Sequence, residues 1–490
     1  MHYLLKLFPE ITIKSRSVRR HMTRCLAGNV RIILRRLDEG ISVKDTWDAL
    51  HVTLPEALPE TLTREMEERL TRIPGIHEVL AIREVPFSDL TDIADRVVPL
   101  WQRAIAGRRF RVSAKRRGEH DFSSEHIERL VGRRLLEASP DARVDLTRPE
   151  VDVAVEVVHQ RLRLIQARWP GLGGYPLGLQ GQALTLISGG FDSPVAAWRM
   201  MRRGIKTHFL FFNLGGPAHE AGVREVTHHL WQRYGSSHRV NFLSVPFEGV
   251  VAEILRSVPD GLMGVVLKRM MVRAAGRIAQ RERIPALVTG DAIAQVSSQT
   301  LTNLALIDAA SELPILRPLL TEDKQDIIAQ ARRLDTARFA ETMPEYCGVI
   351  SRRPHTSARA RDVEQAEAGF DFAVLEAAIG AAETTRSDRL MEHRHTPGEV
   401  PTVDSPQALA QFGDASVIDI RTPAEREASP LRLPDVPRLE IPFYELQDRA
   451  PGLPDDRCYL LYCDQGVMSR MQALHLHDRG LTHFGVYRAT

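Results

Sequence analysis

Leu184-Thr-Leu-Ile-Ser-Gly-Gly-Phe-Asp-Ser-Pro-Val-Ala-Ala-Trp198 is the stretch from which the rest of the chain is read. Apolar residues through Ile187 predict a buried strand and Ser188-Gly189-Gly190 a tight turn. Pro194 suits the first turn of a helix that should stop near Gly204. Two glycines let the backbone turn sharply and bring N–H groups close to a ligand, and the new helix points its partial positive charge at the same spot. This describes a phosphate cradle; a functionless strand–turn–helix that merely tolerates Gly-Gly is the alternative. Asp192 and Ser193 favour the cradle, because they add a carboxylate and a hydroxyl suited to Mg²⁺ and phosphate. The Gly-x4-Gly-Lys-Ser/Thr phosphate loop is missing.

What Ser188 to Ser193 resembles is the Ser-Gly-Gly-x-Asp-Ser signature of the PP-loop ATP pyrophosphatases, which activate a substrate oxygen with AMP and release pyrophosphate. With 490 residues, 43% hydrophobic and 26% charged, the chain is long enough for about three or four globular domains. It has no apolar run long enough to span a bilayer and no signal-peptide pattern at its start, so a cytoplasmic protein is expected. The four cysteines, Cys25, Cys347, Cys458 and Cys463, show neither a Cys-x2-Cys pair nor zinc spacing, so no metal site is expected.

Net charge is only +2, but it is unevenly spread. Residues 1–36 carry nine Lys/Arg against the single acid Glu10, and residues 108–117 carry six more with no acid. Residues 401–490 reverse the sign, with nine Arg against thirteen Asp/Glu. A basic front and an acidic tail imply different partners. Ser17 to Leu37 predicts an amphipathic helix with an arginine face, and Arg109-Phe-Arg-Val-Ser-Ala-Lys-Arg-Arg117 a strand with basic side chains on one face. Such a pair suits a phosphate backbone and gives no base readout; a solvated helix face and a charge-protected edge strand are the alternatives. The order helix, strand, helix, strand, helix and two strands from Leu62 to Gln166 predicts a compact α+β unit. It resembles a THUMP domain preceded by a ferredoxin-like domain. That pair grips tRNA in its families, and the resemblance offers Lys14, Arg16, Arg19, Arg20, Arg109, Arg111, Lys115, Arg116 and Arg117 for RNA binding.

Beyond the Gly/Pro-rich stretch from Trp169 to Pro176, alternating strands and helices predict a doubly wound parallel sheet. Ligands bind beyond the C-terminal strand ends of such sheets, so Ser188, Phe212, Gly290 and Leu320 should share one rim. Phe211-Phe212-Asn213 ends a strand where an adenine could stack, with core packing as the alternative. Gly290-Asp291 and Val296 to Thr300 form a polar loop suited to a ligand or to a capped turn. Lys324 falls in the first turn of an expected helix, Thr321 to Leu334, where a cation opposes the dipole and calls for a nearby anion. Residues 350–400 are expected to be peripheral helices and a linker.

The last ninety residues predict a separate α/β unit. Cys463 ends a strand and precedes Asp-Gln-Gly-Val-Met-Ser469, a loop at a helix N-terminus that should favour a reactive thiolate over an inert buried thiol. Protein phosphatases with a similar loop carry Arg six positions after the cysteine; Ser469 stands there and argues against phosphoryl transfer. The loop resembles that of a rhodanese, whose cysteine carries sulfur as a persulfide.

Together these pieces resemble the bacterial tRNA 4-thiouridine synthetases in their long form, over nearly the whole chain. The most specific stretches are Leu7 to Lys14, Lys115 to Gly118, Ile187 to Ser193, Leu267 to Met271, Glu345 to Ser351 and Leu461 to Cys463. The resemblance implies a multidomain α/β and α+β protein: a ferredoxin-like domain (1–60), a THUMP domain (61–168), a linker (169–180), a PP-loop ATP pyrophosphatase domain with a doubly wound parallel sheet (181–396), a linker (397–406) and a rhodanese-like α/β domain (407–490). It implies ATP with Mg²⁺, held by Leu186, Ile187, Ser188, Gly189, Gly190, Asp192, Ser193, Phe212, Lys268, Gly290 and Gln299. It gives catalytic roles to Asp192 and Lys324 in adenylating uridine 8 of tRNA, to Cys463 as persulfide carrier, and to Cys347 in a transient disulfide with Cys463. Implied partners are tRNA, a cysteine desulfurase and an external reductant. Service to a thiazole sulfur-carrier protein in thiamine biosynthesis, and a homodimer, are left open. A mobile linker near 390–406 would let Cys463 reach the ATP site. A non-enzymatic RNA-binding sulfur relay with a vestigial ATP site is the competing class, and a 2-thiouridine-forming PP-loop thiolase is a third.

Overall fold

The computed structural model describes residues 2–490 except 56–57, 215, 342, 344–352, 393–399, 406–407, 410–414, 422, 434–435, 464–465 and 489–490. Cys347, and most of the stretch expected to link residues 390–406, lie outside the described residues. The chain divides into two compact units, residues 1–179 with 202–204, and 180–201 with 205–490.

The first unit is built on one eight-stranded sheet. Its strands are β1 (His2–Leu7), β2 (Ser42–Asp45), β3 (Ala49–Thr53), β4 (Ile76–Pro86), β5 (Arg109–Arg117), β6 (Arg143–Val144), β7 (Val151–Val158) and β8 (Arg161–Pro170), in the order β2-β3-β1-β4-β8-β7-β5-β6. Two apolar cores form on it. One gathers Tyr3, Leu5, Leu26, Val30, Val52, Met66, Leu70 and Val79, the other Ile93, Val97, Phe110, Ile127, Val131, Val153 and Val155. The helix Glu60–Thr71 gives Met66 and Leu70 to the first core. The division expected at residue 60 therefore moves to β4, whose Val79 serves the first core and whose Val85 packs on the second. The helix Ser124–Ala138 starts with a capping box between Ser123 and His126.

The second unit carries two sheets. The larger comprises β9 (Gln182–Leu186), β10 (Lys206–Asn213), β11 (Asn241–Pro246), β12 (Leu287–Val288), β13 (Ile315–Leu316) and β14 (Glu383–Arg386), ordered β13-β12-β9-β10-β11-β14. All pairs are parallel except β11 with β14. The chain runs outward from β9 to β11, then returns to the other side of β9 at β12. The strand order thus reverses beside the quoted stretch, the place where open α/β sheets bind ligands. Among residues 350–400, Glu383–Arg386 forms an edge strand where only helices and linker were expected.

Behind this sheet the helices Met263–Arg281 and Ala360–Ala368 are tied by an ion cluster. Arg269 and Arg273 each donate to both oxygens of Glu367 at 2.6 to 3.0 Å. Burial alone would raise the Glu367 pKa, but the two arginines outweigh it and hold the carboxyl below its usual range. With a depressed folded pKa, its stabilisation is present above the unfolded value of about 4.3 and is lost as pH falls through the folded one. Glu367→Ala should therefore cost about 3–5 kcal/mol at neutral pH, because it strands buried Arg269, and the cost should shrink in acid. Denaturant titrations at several pH values check this; a cost that does not vary with pH would contradict it.

The smaller sheet, β15 (Thr402–Val403), β16 (Ser416–Asp419), β17 (Arg438–Glu440), β18 (Tyr459–Tyr462) and β19 (Phe484–Tyr487), is wholly parallel in the order β15-β19-β18-β16-β17. Thr402 and Val403, expected within a linker, form its edge strand. The helix Val467–Asp478 packs on Gly216–Leu230, and its His475 Nδ1 lies 3.8 Å from a carboxylate oxygen of Glu248, which starts the helix Glu248–Ser257.

Candidate active site

The cradle closes on itself through serine. Ser193 Oγ accepts from the Ser188 backbone N–H at 2.8 Å and lies 3.0 Å from Ser188 Oγ. The helix Asp192–Arg202 then starts with Ser193, Pro194, Val195, Ala196 and Ala197 all buried, which fixes its N-terminus rigidly. The expected reason for the glycines needs correction, since neither Gly189 nor Gly190 has a positive φ. A Cβ on Gly189 would meet Met343 Sδ at 2.5 Å, a flexible side chain that could move aside.

Gly290 has a stricter reason. A Cβ on it would lie 2.8 Å from the Ser193 nitrogen and 2.9 Å from the Asp192 carbonyl carbon. Only glycine lets the loop after β12 lie directly on the helix N-terminus.

That contact brings two aspartate–lysine pairs together. Asp192 accepts from Lys324 Nζ at 2.8 and 3.0 Å and from Gln295 Nε2 at 2.9 Å. Lys324 begins the helix Lys324–Arg333, so the anion demanded by its place against the dipole is supplied within the protein by Asp192. Asp291, beside Gly290, accepts from Lys268 Nζ at 2.6 Å, Thr289 Oγ1 at 2.7 Å, Gln299 Nε2 at 3.0 Å and Arg317 Nε at 3.3 Å. Burial pushes the Asp291 carboxyl up, but Lys268, Thr289 and Arg317 more than offset it and keep it well below the usual carboxylate range. Asp291 lies in the polar loop that the sequence marks for a ligand, whereas Thr289, Arg317 and Gln295 are the site residues that sequence reasoning missed; the available signal was their nearness to Gly290-Asp291 and to the strand end at Leu316.

Phe212 is not an open platform. Its ring packs 4.6 Å from that of Phe247 and is 7% exposed, while Phe211 is stacked on Phe242, so both belong to the core. Leu186 is half-buried and Ile187 buried, with the Ile187 N–H donating to Leu210 O at 2.8 Å. Both Asp192 oxygens are engaged by Lys324 and Gln295, and no cluster of three His, Cys, Asp or Glu suited to a metal occurs among the described residues.

Cys463 follows β18 and is 9% exposed. The Ser469 N–H donates to its Sγ at 3.3 Å, and the thiol lies 3.5 Å from Ser469 Oγ. Gly466, with φ of 70°, makes the left-handed turn that starts the helix behind it. Ser469 thus occupies the position of the phosphatase arginine and hydrogen-bonds the sulfur instead. Cys25 and Cys458 are half-buried and burial pushes both thiols up, consistent with packing roles.

The basic residues divide. Arg109, Arg111 and Arg117 are paired with Glu150, Asp152 and Asp48. Arg19 lies over the Trp47 ring and Arg116 donates to Gly118 O. Lys14, Arg16, Arg20 and Lys115 are exposed and make no ion pair among the described residues.

Comparison with known proteins places this arrangement. Residues 2–79 match the ThiI ferredoxin-like domain, 87–164 the THUMP domain, and 178–372 the thiamine biosynthesis protein (ThiI) family. A tRNA sulfurtransferase of Pectobacterium carotovorum is 48% identical over 489 residues, with 100% of both chains covered. The chain belongs to the tRNA sulfurtransferase family. Another member, from Klebsiella pneumoniae, is 48% identical over 490 residues, again with 100% of both chains covered. A solved 4-thiouridine synthetase, in complex with RNA and bound ATP, is 25% identical with a TM-score of 0.68. The match covers 79% of this tRNA sulfurtransferase family member and 99% of that chain. PH1313 from Pyrococcus horikoshii shares the fold at 19% identity and a TM-score of 0.51, covering 68% of this chain and 100% of that one. No helix among the described residues is long and apolar enough to cross a membrane.

Proposed function

We propose that this protein transfers persulfide sulfur to uridine 8 of tRNA, using ATP to adenylate the base and forming 4-thiouridine. The observation that carries the reading is the pair of Asp–Lys couples, Asp192–Lys324 and Asp291–Lys268, set against the N-terminus of the helix Asp192–Arg202. Each lysine is held by a carboxylate and can turn to a polyphosphate when one enters, so the site binds ATP without keeping an unpaired buried charge. Mg²⁺ enters as part of the nucleotide substrate.

Uracil O4 bonds to the α-phosphorus as the bond to the β-phosphate oxygen breaks; the ring loses its N3 proton and pyrophosphate leaves with the electron pair. Activation is needed because a carbonyl oxygen is a poor leaving group, whereas AMP is a good one. Lys324 and Lys268 neutralise charge that grows on the phosphate oxygens. A cysteine desulfurase loads Cys463 with a persulfide in a rhodanese-like domain. The terminal sulfur attacks C4, and AMP leaves with the former O4. The Cys347 thiolate then attacks Cys463 Sγ, which forms a disulfide and frees the thiolated base; an external thiol reductant resets the pair. Lys14, Arg16, Arg20 and Lys115 supply phosphate contacts to the tRNA. Sulfur delivery to a thiazole carrier protein would use Cys463 alone.

The test is ATP labelled in its α-phosphate, mixed with unmodified tRNA and no sulfur donor. Label on the RNA together with free pyrophosphate is expected; pyrophosphate release that ignores RNA contradicts the reading. Gly290→Ala should slow this step about 10²-fold, since it forces the rim loop off the helix N-terminus and misplaces both aspartates. It should also cost about 1–3 kcal/mol of stability through overpacking. Activity within threefold of the parent would contradict the close-approach argument.

A further inference from the structure

The loop from Ala292 to Gln299 is held in an unfavourable form. Ala294 sits in the left-handed region at φ of 62°, which costs free energy for a residue with a Cβ. Gln295 donates its amide nitrogen to Asp192 Oδ2 at 2.9 Å. Because an ionised carboxylate only accepts, the amide cannot be turned around, and its oxygen faces away from Asp192. That oxygen is buried and has no hydrogen-bond partner among the described residues. The loop is pinned in this state from three sides, by the Ala294 N–H to Gln299 O at 3.0 Å, the Ile293 N–H to Leu320 O at 2.9 Å and the Asn303 amide to Ser297 O at 2.7 Å. An orphaned acceptor and a strained residue side by side indicate a conformation kept for something other than stability. The bond that the Gln295 side chain makes in it is to Asp192.

We propose that Gln295 is a positioning residue that fixes the Asp192 carboxylate toward Lys324 for the activation step. The proposal rests on the reading that adenylation takes place at this cradle. Lys324 grips both carboxylate oxygens, so it sets the distance but leaves the plane free to roll; a second donor on Oδ2 removes that freedom. Gln295 touches no group that changes covalently and acts through Asp192.

The experiment is steady-state pyrophosphate release by full-length Gln295→Leu, with saturating tRNA and varied ATP, beside thermal melting of the same sample. The substitution removes the donor and the orphaned acceptor while keeping most of the volume. Expected are a kcat lower by about 10²-fold, a KM for ATP within about threefold of the parent, and a melting temperature unchanged or raised. Leu301→Ala, an exposed side chain at the start of the helix that follows the loop, should match the parent throughout. A kcat within threefold of the parent overturns the proposal, as does a fall in melting temperature together with a matching rise in KM, which marks a merely structural role. If the parent protein itself releases no pyrophosphate with tRNA, the underlying reading of the cradle fails and this proposal falls with it.

Discussion

Lys324→Ala is expected to slow tRNA-dependent pyrophosphate release by about 10²–10³-fold, the usual consequence of removing one fixed donor to a transition-state anion. Stability should barely move. The Lys324 and Asp192 side chains are 40% and 23% exposed, and a pair that open to water contributes about 1 kcal/mol or less. The two readouts therefore separate a catalytic from a structural lysine. Lys324→Arg should recover only part of the rate, because a planar guanidinium replaces a point charge held at 2.8 and 3.0 Å from the two oxygens. Unaltered pyrophosphate release by Lys324→Ala would remove this lysine from the activation step and leave Lys268 as the cation of the site.

Cys463→Ser is expected to abolish thiolation altogether while tRNA-dependent pyrophosphate release stays within about threefold of the parent. Serine keeps the hydrogen-bonding volume beside Ser469 but cannot hold a persulfide, so only the sulfur half-reaction should fail. The separation follows from the fold. Cys463 ends a strand of the five-stranded sheet, whereas the cradle belongs to the six-stranded one. Loss of both half-reactions would show that Cys463 shapes the activation site as well, and retained thiolation would remove it as the sulfur carrier.

Elements that carry their own period were legible in the sequence. The helix Arg16–Leu34 covers most of the expected Ser17 to Leu37, and the strand–turn–helix around Ser188 lies within a residue or two of its expected place. Short strands were not. Ser42–Asp45, Ala49–Thr53, Glu383–Arg386 and Arg438–Glu440 span three to five residues and are strands because a neighbour's backbone pairs with them, which no local pattern records. The cradle could be read because its residues are contiguous. The Asp291 network could not, since its partners Lys268 and Arg317 come from a helix and a strand end on either side of it in sequence. Charge was visible along 109–117, but not the acids at 145, 150 and 152 that the sheet register sets against those arginines. Phe212 reads as a platform at a strand end until Phe247 is seen to cover it.

The central claim is that one chain couples ATP consumption at Ser188–Ser193 to sulfur delivery from Cys463. It is tested most directly by incubating the purified protein with unmodified tRNA, ATP, a cysteine desulfurase and cysteine, while following pyrophosphate and the near-ultraviolet absorbance of 4-thiouridine in the same sample. The account predicts that both appear together in equal amounts and that neither forms when tRNA is withheld. Thiolated tRNA formed without ATP consumption, or no thiolation with every component present, would contradict it.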